Sequence, residues 1–141
     1  MRNKNEKVLE AWLSMTTIIN NERITSDLPY NESMICRYLY QNKDQNVTAT
    51  DLCNWMRMQK SQMNRTLTNM EKKNLITRTR ATEDTRKIYV TLNEQMMAVY
   101  KKQHKKILKI VGEIFDKIGY EKQDEVIDLF ELIAKTAKET L

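Results

Sequence analysis

Apolar residues recur at three- and four-residue spacing through most of this chain, and the recurrence breaks at a few definable points. Over Glu6 to about Asn21, Val8, Leu9, Trp12, Met15, Thr16 and Ile19 line one face of an amphipathic helix. Leu28 and Pro29 interrupt the pattern, and Asn31 is the expected N-cap of a second helix that runs to about Gln41 through Ile35, Tyr38 and Leu39. The polar run Lys43 to Val47 predicts a short loop. Thr48-Ala49-Thr50-Asp51 then has capping-box form, a hydroxyl able to take a backbone N–H with an acid three residues on, and predicts a helix from Ala49 to about Met56. After a turn at Arg57 and Met58, a further helical pattern runs from near Gln59 to Lys73. Its apolar members Met63, Leu67 and Met70 form one narrow stripe.

The period then changes. Leu75 to Arg80 and Lys87 to Leu92 are short runs of β-propensity, with Ile88, Val90 and Leu92 expected inward and Tyr89 and Thr91 outward. The polar stretch Ala81 to Arg86 joins them into a hairpin whose tip and shoulders carry Arg78, Arg80, Arg86 and Lys87. From Glu94 the helical period returns through Met97, Tyr100, His104, Ile107, Leu108, Val111, Phe115 and Ile118, and Gly119 is expected to end it. A last helix, Glu121 to about Thr140, places Val126, Leu129, Phe130, Ile133 and Ala137 on one face. Only two Gly and one Pro in 141 residues fit a mostly α protein with one small hairpin.

Charge adds what periodicity cannot. Between Thr48 and Asn93 nine Lys and Arg stand against four acids, a net +5, whereas residues 1–47 carry six of each sign and residues 94–141 nine of each. The whole excess of the chain therefore lies on the short helix, the helix after it and the hairpin. That is the electrostatic footprint of a surface that meets a polyanion, duplex DNA above all. Opposite the apolar stripe, at 100° per residue, fall Ser61, Gln62, Arg65, Asn69 and Lys72, a set of donors and acceptors suited to base edges and phosphates.

Other classes find little support. No apolar run is long enough to span a bilayer and Met1 to Glu10 is charged, so a cytoplasmic protein without membrane association is expected. Cys36 and Cys53 lie 17 positions apart in helical patterns, and the chain has one His, which suggests neither a disulfide framework nor a metal site. There is no Gly-rich phosphate loop, no nucleophile elbow and no second His for acid/base work, so neither an enzyme nor a cofactor is expected.

The order of elements resembles the MarR family of winged-helix transcriptional regulators, most specifically over Leu52 to Asn93. There the family's stations are similar to Leu52, Gln59-Lys60-Ser61-Gln62-Met63-Asn64-Arg65, Met70-Glu71-Lys72-Lys73-Asn74-Leu75, Asp84-Thr85-Arg86 and Val90-Thr91-Leu92. Arg57 and Asn74 stand where the family usually has Gly. Asn tolerates the left-handed conformation of a helix end, while Arg57 takes either an ordinary turn conformation or some strain, and Gln59 is a weak N-cap.

The resemblance implies a mostly α fold with a β-hairpin wing, a winged helix-turn-helix over 28–93 flanked by dimerisation helices in 1–27 and 94–141. It implies a homodimer on double-stranded DNA, a repressor of a near-palindromic operator released by a small aromatic effector. Lys60, Ser61, Gln62 and Arg65 are then expected at the major groove, Asn64 and Asn69 elsewhere on the DNA-binding surface, and Arg86 in the minor groove with Asp84 holding the wing. Thr48, Thr50, Arg78, Arg80 and Lys87 are expected at phosphates. Trp12, Met15, Tyr30 and Tyr38 are the candidates for lining an effector pocket, although helix packing accounts for them more readily. Two alternatives stand beside this reading. One is a dimeric winged-helix protein-interaction module without ligand sensing, and the other is a redox sensor acting through cysteine, for which Cys36 would need to be exposed.

Overall fold

The computed structural model describes residues 3–21 and 28–141. Residues 1, 2 and 22–27, the ends of the segment assigned from sequence to the N-terminal dimerisation helix, lie outside the described residues. The element order is α1 (Lys4–Asn21), α2 (Tyr30–Gln41), α3 (Ala49–Met56), α4 (Lys60–Lys72), β1 (Ile76–Arg80), β2 (Ile88–Leu92), α5 (Glu94–Ile118), a single 3₁₀ turn (Tyr120–Lys122) and α6 (Gln123–Thr140). The chain forms two compact units, Met1–His104 and Lys105–Leu141.

The core of the first unit follows from the apolar stripes. Ile35, Cys36 and Leu39 of α2, Leu52 of α3, Met63, Leu67 and Met70 of α4, Ile76, Val90 and Leu92 of the hairpin, and Met96 and Tyr100 of α5 are buried together. Each fully buried side chain of this size contributes roughly 1.5–3 kcal/mol, so this one cluster is what holds the hairpin against the helices. The first turns of α5 thus pack with the winged region. In the hairpin, Ile76 pairs with Leu92 and Arg80 with Ile88 in antiparallel register. Val90 N–H also donates to Val47 O at 2.9 Å, which stitches the segment before α3 onto β2.

Local chemistry sets the helix ends. Thr48 closes the capping box at α3: its hydroxyl accepts from Asp51 N–H at 3.1 Å, and its own N–H donates to Asp51 Oδ2 at 2.9 Å. The expected cap at Asn31 is replaced by Pro29, whose ring-fixed φ of −53° and extended ψ of 149° already bring the chain into α2. Pro29 O takes the first helical bond from Ser33 N–H at 3.0 Å, so Asn31 lies inside the first turn. Arg57 takes the strained alternative, left-handed at φ 52° and ψ 44°. Such a conformation costs a branched or long side chain about 1–2 kcal/mol. Asn74, also left-handed at φ 60°, ends α4 with two bonds, Asn74 N–H to Glu71 O at 2.9 Å and Leu75 N–H to Met70 O at 3.0 Å. Gly119 ends α5 at φ 116° and ψ 125°, outside the left-handed helical region and open mainly to glycine.

Gln59 caps α4 through its backbone alone, with no side-chain hydrogen bond. Gln62 stands three residues on, so Gln59→Ser would create the capping-box pattern Ser-x-x-Gln. The substitution is expected to stabilise the fold by about 1 kcal/mol, read as a higher urea midpoint at unchanged m-value.

Candidate nucleic-acid interface

Helix α4 presents one face to the core and the opposite face to solvent. Met63, Leu67 and Met70 are completely buried, while Lys60, Ser61, Gln62, Asn64, Arg65 and Asn69 are all exposed. Ser61, Arg65 and Lys72 lie exposed along the side opposite the core stripe, while Thr68 is half-buried beside them. Thr66 turns its hydroxyl back onto Gln62 O at 2.9 Å, which removes it from the reading face. Thr50 is exposed in the first turn of α3, and Thr48 is half-buried at its cap.

The wing tip is internally organised. Asp84 Oδ1 accepts from Arg86 N–H at 3.0 Å and from Arg86 Nε at 3.1 Å, and Oδ2 accepts from Nη2 at 3.3 Å. These bonds hold the Asp84 carboxyl below its ordinary range. Arg86 nonetheless leaves 89% of its side chain in solvent, so the carboxylate steers it without covering it. Glu83 accepts a hydrogen bond from the Tyr89 hydroxyl, which lowers the Glu83 pKa and raises that of Tyr89. Arg80 donates to Thr85 O across the hairpin, and Lys87 is exposed. Both wing acids are therefore engaged within the wing, while Arg86 and Lys87 face outward.

Two cations of the basic block point elsewhere. Arg78 reaches from β1 to α4, where it pairs with Glu71 and donates to Thr68 Oγ1 at 3.0 Å. Lys73 donates to both carboxylate oxygens of Glu32 at 2.9 and 3.0 Å, and Glu32 is only 6% exposed. Sequence reasoning missed Glu32, Thr68 and Glu71. One signal was available for Glu71: it is the single acid of α4, and an acid on a helix that faces a polyanion needs a partner.

Trp12, Met15, Tyr30 and Tyr38 are not brought together behind a buried surface in the described residues. Trp12, Met15 and Tyr30 are 56%, 44% and 70% exposed, and Tyr38 packs on Trp55 with ring centroids 4.7 Å apart. Cys36 is buried rather than exposed, which removes the condition for redox sensing at that thiol. Burial, with the Glu32 carboxylate nearby, pushes its pKa up to about 12. A thiol reacts as thiolate, so Cys36 in a Cys53→Ser variant is expected to stay unmodified by a disulfide reagent from pH 7 to 9. It should become reactive only in denaturant, and fast labelling of the native protein would contradict that. Among the described residues no helix is long and apolar enough to cross a membrane, and no group of three or more His, Cys, Asp or Glu is placed to hold a metal.

The sequence profile of the Transcriptional regulator SarA/Rot family matches residues 17–110, two thirds of the chain and all of the elements just described from α2 to β2. The chain belongs to the SarA/Rot family. No curated relative matches it by sequence. Its fold is that of MarR-type winged-helix regulators. MepR, a transcription regulator of the Staphylococcus aureus multidrug efflux pump MepA, aligns over 96% of this chain and 99% of its own, with a TM-score of 0.74 at 13% identity. MepR in complex with DNA aligns over the same shares with a TM-score of 0.72 at 14% identity. The haem sensor PefR from Streptococcus agalactiae, bound to haem, aligns over 99% of this chain and 95% of its own, with a TM-score of 0.63 at 17% identity. As a SarA/Rot protein the chain is a transcriptional regulator of the winged-helix type.

Proposed function

We propose that the chain is a sequence-specific repressor that binds a near-palindromic operator as a homodimer and is released by a small aromatic ligand. The observation that carries the DNA reading is the solvent face of α4, where Lys60, Ser61, Gln62, Asn64, Arg65 and Asn69 stand clear of the core beside a wing that holds Arg86 outward. The N-terminal residues of α4 enter the major groove, with Gln62 suited to adenine and Arg65 to guanine. Arg86 enters the minor groove, and Thr48, Thr50, Arg80 and Lys87 meet phosphates.

The dimer rests on surface that one chain leaves uncovered. No residue of α1 or α6 is buried, and Leu108, Val111, Ile114, Ile118, Ile127, Leu129, Phe130, Leu132 and Ile133 are all exposed. A unit of fewer than 40 residues with no buried side chain lacks a core of its own, and a second copy supplies one. Ligand release rests on analogy: MepR has been captured both with DNA and with ethidium bromide. In this chain Trp12, Met15, Tyr30 and Tyr38 would line such a site once the second copy encloses it.

Selection from a random duplex pool tests the proposal, together with sedimentation of the free protein. The expected products are a species of twice the 16.8 kDa chain mass and an inverted repeat with half-site centres about 10 bp apart. A monomer that enriches no sequence would exclude this function.

A further inference from the structure

Arg78 occupies the middle of β1, opposite Val90, yet its guanidinium leaves the hairpin and ends on α4. Nε donates to Glu71 Oε1, and Nη2 pairs with that same oxygen and donates to Thr68 Oγ1 at 3.0 Å. Both side chains are partly buried, and Glu71 carries the only negative charge of α4. For Arg78 to turn its Nε and Nη2 to a phosphate it would have to break an ion pair with two hydrogen bonds. It would also leave Glu71 uncompensated beside the polyanion, which costs more than one surface phosphate contact returns.

A second fixing point lies nearer the turn. Asn93 Nδ2 donates to Asn74 O at 2.9 Å, Thr77 Oγ1 donates to Asn93 Oδ1 at 2.6 Å, and Asn93 N–H donates to Leu75 O at 3.0 Å. This clip ties the base of the hairpin to the end of α4. The buried cluster holds the inner face of the hairpin against the helices, and the two clips, separated along β1, add polar contacts that set the angle of the wing relative to α4.

We infer that Arg78 is a positioning residue which, through Thr68 and Glu71, locks the wing to the recognition helix so that both grooves are read in one fixed geometry. The inference rests on the DNA-binding reading above and replaces a phosphate role for Arg78. Its consequence is specificity: a wing that swings freely still finds phosphates on any duplex, whereas a locked wing rewards only the site whose two grooves fit together.

The test compares wild type, Arg78→Met, Glu71→Gln, the charge-swapped pair Glu71→Arg with Arg78→Glu, and Arg80→Gln. Each is titrated by anisotropy against the selected duplex and a scrambled duplex between roughly 50 and 200 mM salt. Arg78→Met and Glu71→Gln are each expected to cut the specific-to-scrambled affinity ratio roughly tenfold. Both keep the wild-type slope of log K against log salt, and the swapped pair recovers the ratio. Arg80→Gln loses about 0.9 of slope with the ratio kept. A shallower slope in Arg78→Met at unchanged ratio, or tighter binding of both duplexes by Glu71→Gln, would overturn the inference in favour of a phosphate contact. Residual dipolar couplings of the hairpin amides relative to α4 in the free protein decide the brace independently of DNA. A changed orientation or wider averaging in both single variants supports it, and wild-type couplings in both refute it. Wild-type protein without site preference would instead refute the repressor reading, leaving those couplings to judge the brace.

Discussion

Replacing Arg65 by alanine is expected to weaken binding to the selected operator about tenfold to a hundredfold and to flatten the preference at one base pair of each half-site. Arg65 stands exposed on α4, one turn after Ser61 and directly opposite the Leu67 side of the helix. An arginine there has two N–H groups for the two major-groove acceptors of guanine. Losing such a bidentate contact costs roughly 1–3 kcal/mol of discrimination. The measurement is a titration of wild type and variant against the operator and against duplexes changed at single positions. Loss of the same size on every duplex, with a salt slope lowered by about one phosphate, would make Arg65 a backbone contact and leave base reading to Gln62 and its neighbours.

Lys73→Met is expected to destabilise the free protein by about 2 kcal/mol. Glu32 lies in the first turn of α2 with its side chain nearly enclosed, and Lys73 is the one cation bonded to its carboxylate among the described residues. Taking away one member of a buried pair typically costs about 3–5 kcal/mol, because the other is left charged in a poor solvent. Two features reduce that figure here. Lys73 is itself half-exposed, so water partly screens the pair, and the free N–H groups at the start of α2 favour an acid at that position. Adding Glu32→Gln to Lys73→Met removes the unpaired charge and should return most of the loss. Urea midpoints of the two single variants and the double one provide the check. Equal destabilisation by the double and by the sum of the singles would mean that the two residues act separately.

What was legible in the sequence was whatever local chemistry decides. The capping box at Thr48 and Asp51 set the start of α3, the Met63, Leu67 and Met70 stripe set the inner face of α4, and the alternation of Val90 and Leu92 set the inner face of β2. What was not legible depends on partners far along the chain. Asn31 looked like a cap because its side chain is a good acceptor, but the preceding proline had already fixed the backbone. Charge alone assigns Arg78 to phosphate and carries no sign of its bond to Glu71, seven residues back on another element. Tyr100 continues the long helical pattern without a mark to show that it belongs to the winged core, and Met96, next to the expected Met97, is the methionine that is buried there. Trp12, Met15 and Tyr30 are pocket candidates through the family resemblance alone, and they lie exposed.

These differences leave the basic block intact and change how it is organised. Lys73 and Arg78 hold the scaffold together, while Lys60, Arg65, Arg86 and Lys87 remain on the outward surface. The most direct test of sequence-specific DNA binding is an anisotropy titration of the purified protein against its own upstream intergenic DNA and a scrambled duplex at two salt concentrations. At least a hundredfold preference for the first is expected, with an affinity that falls steeply with salt. Equal, weak binding to both duplexes would contradict sequence-specific binding.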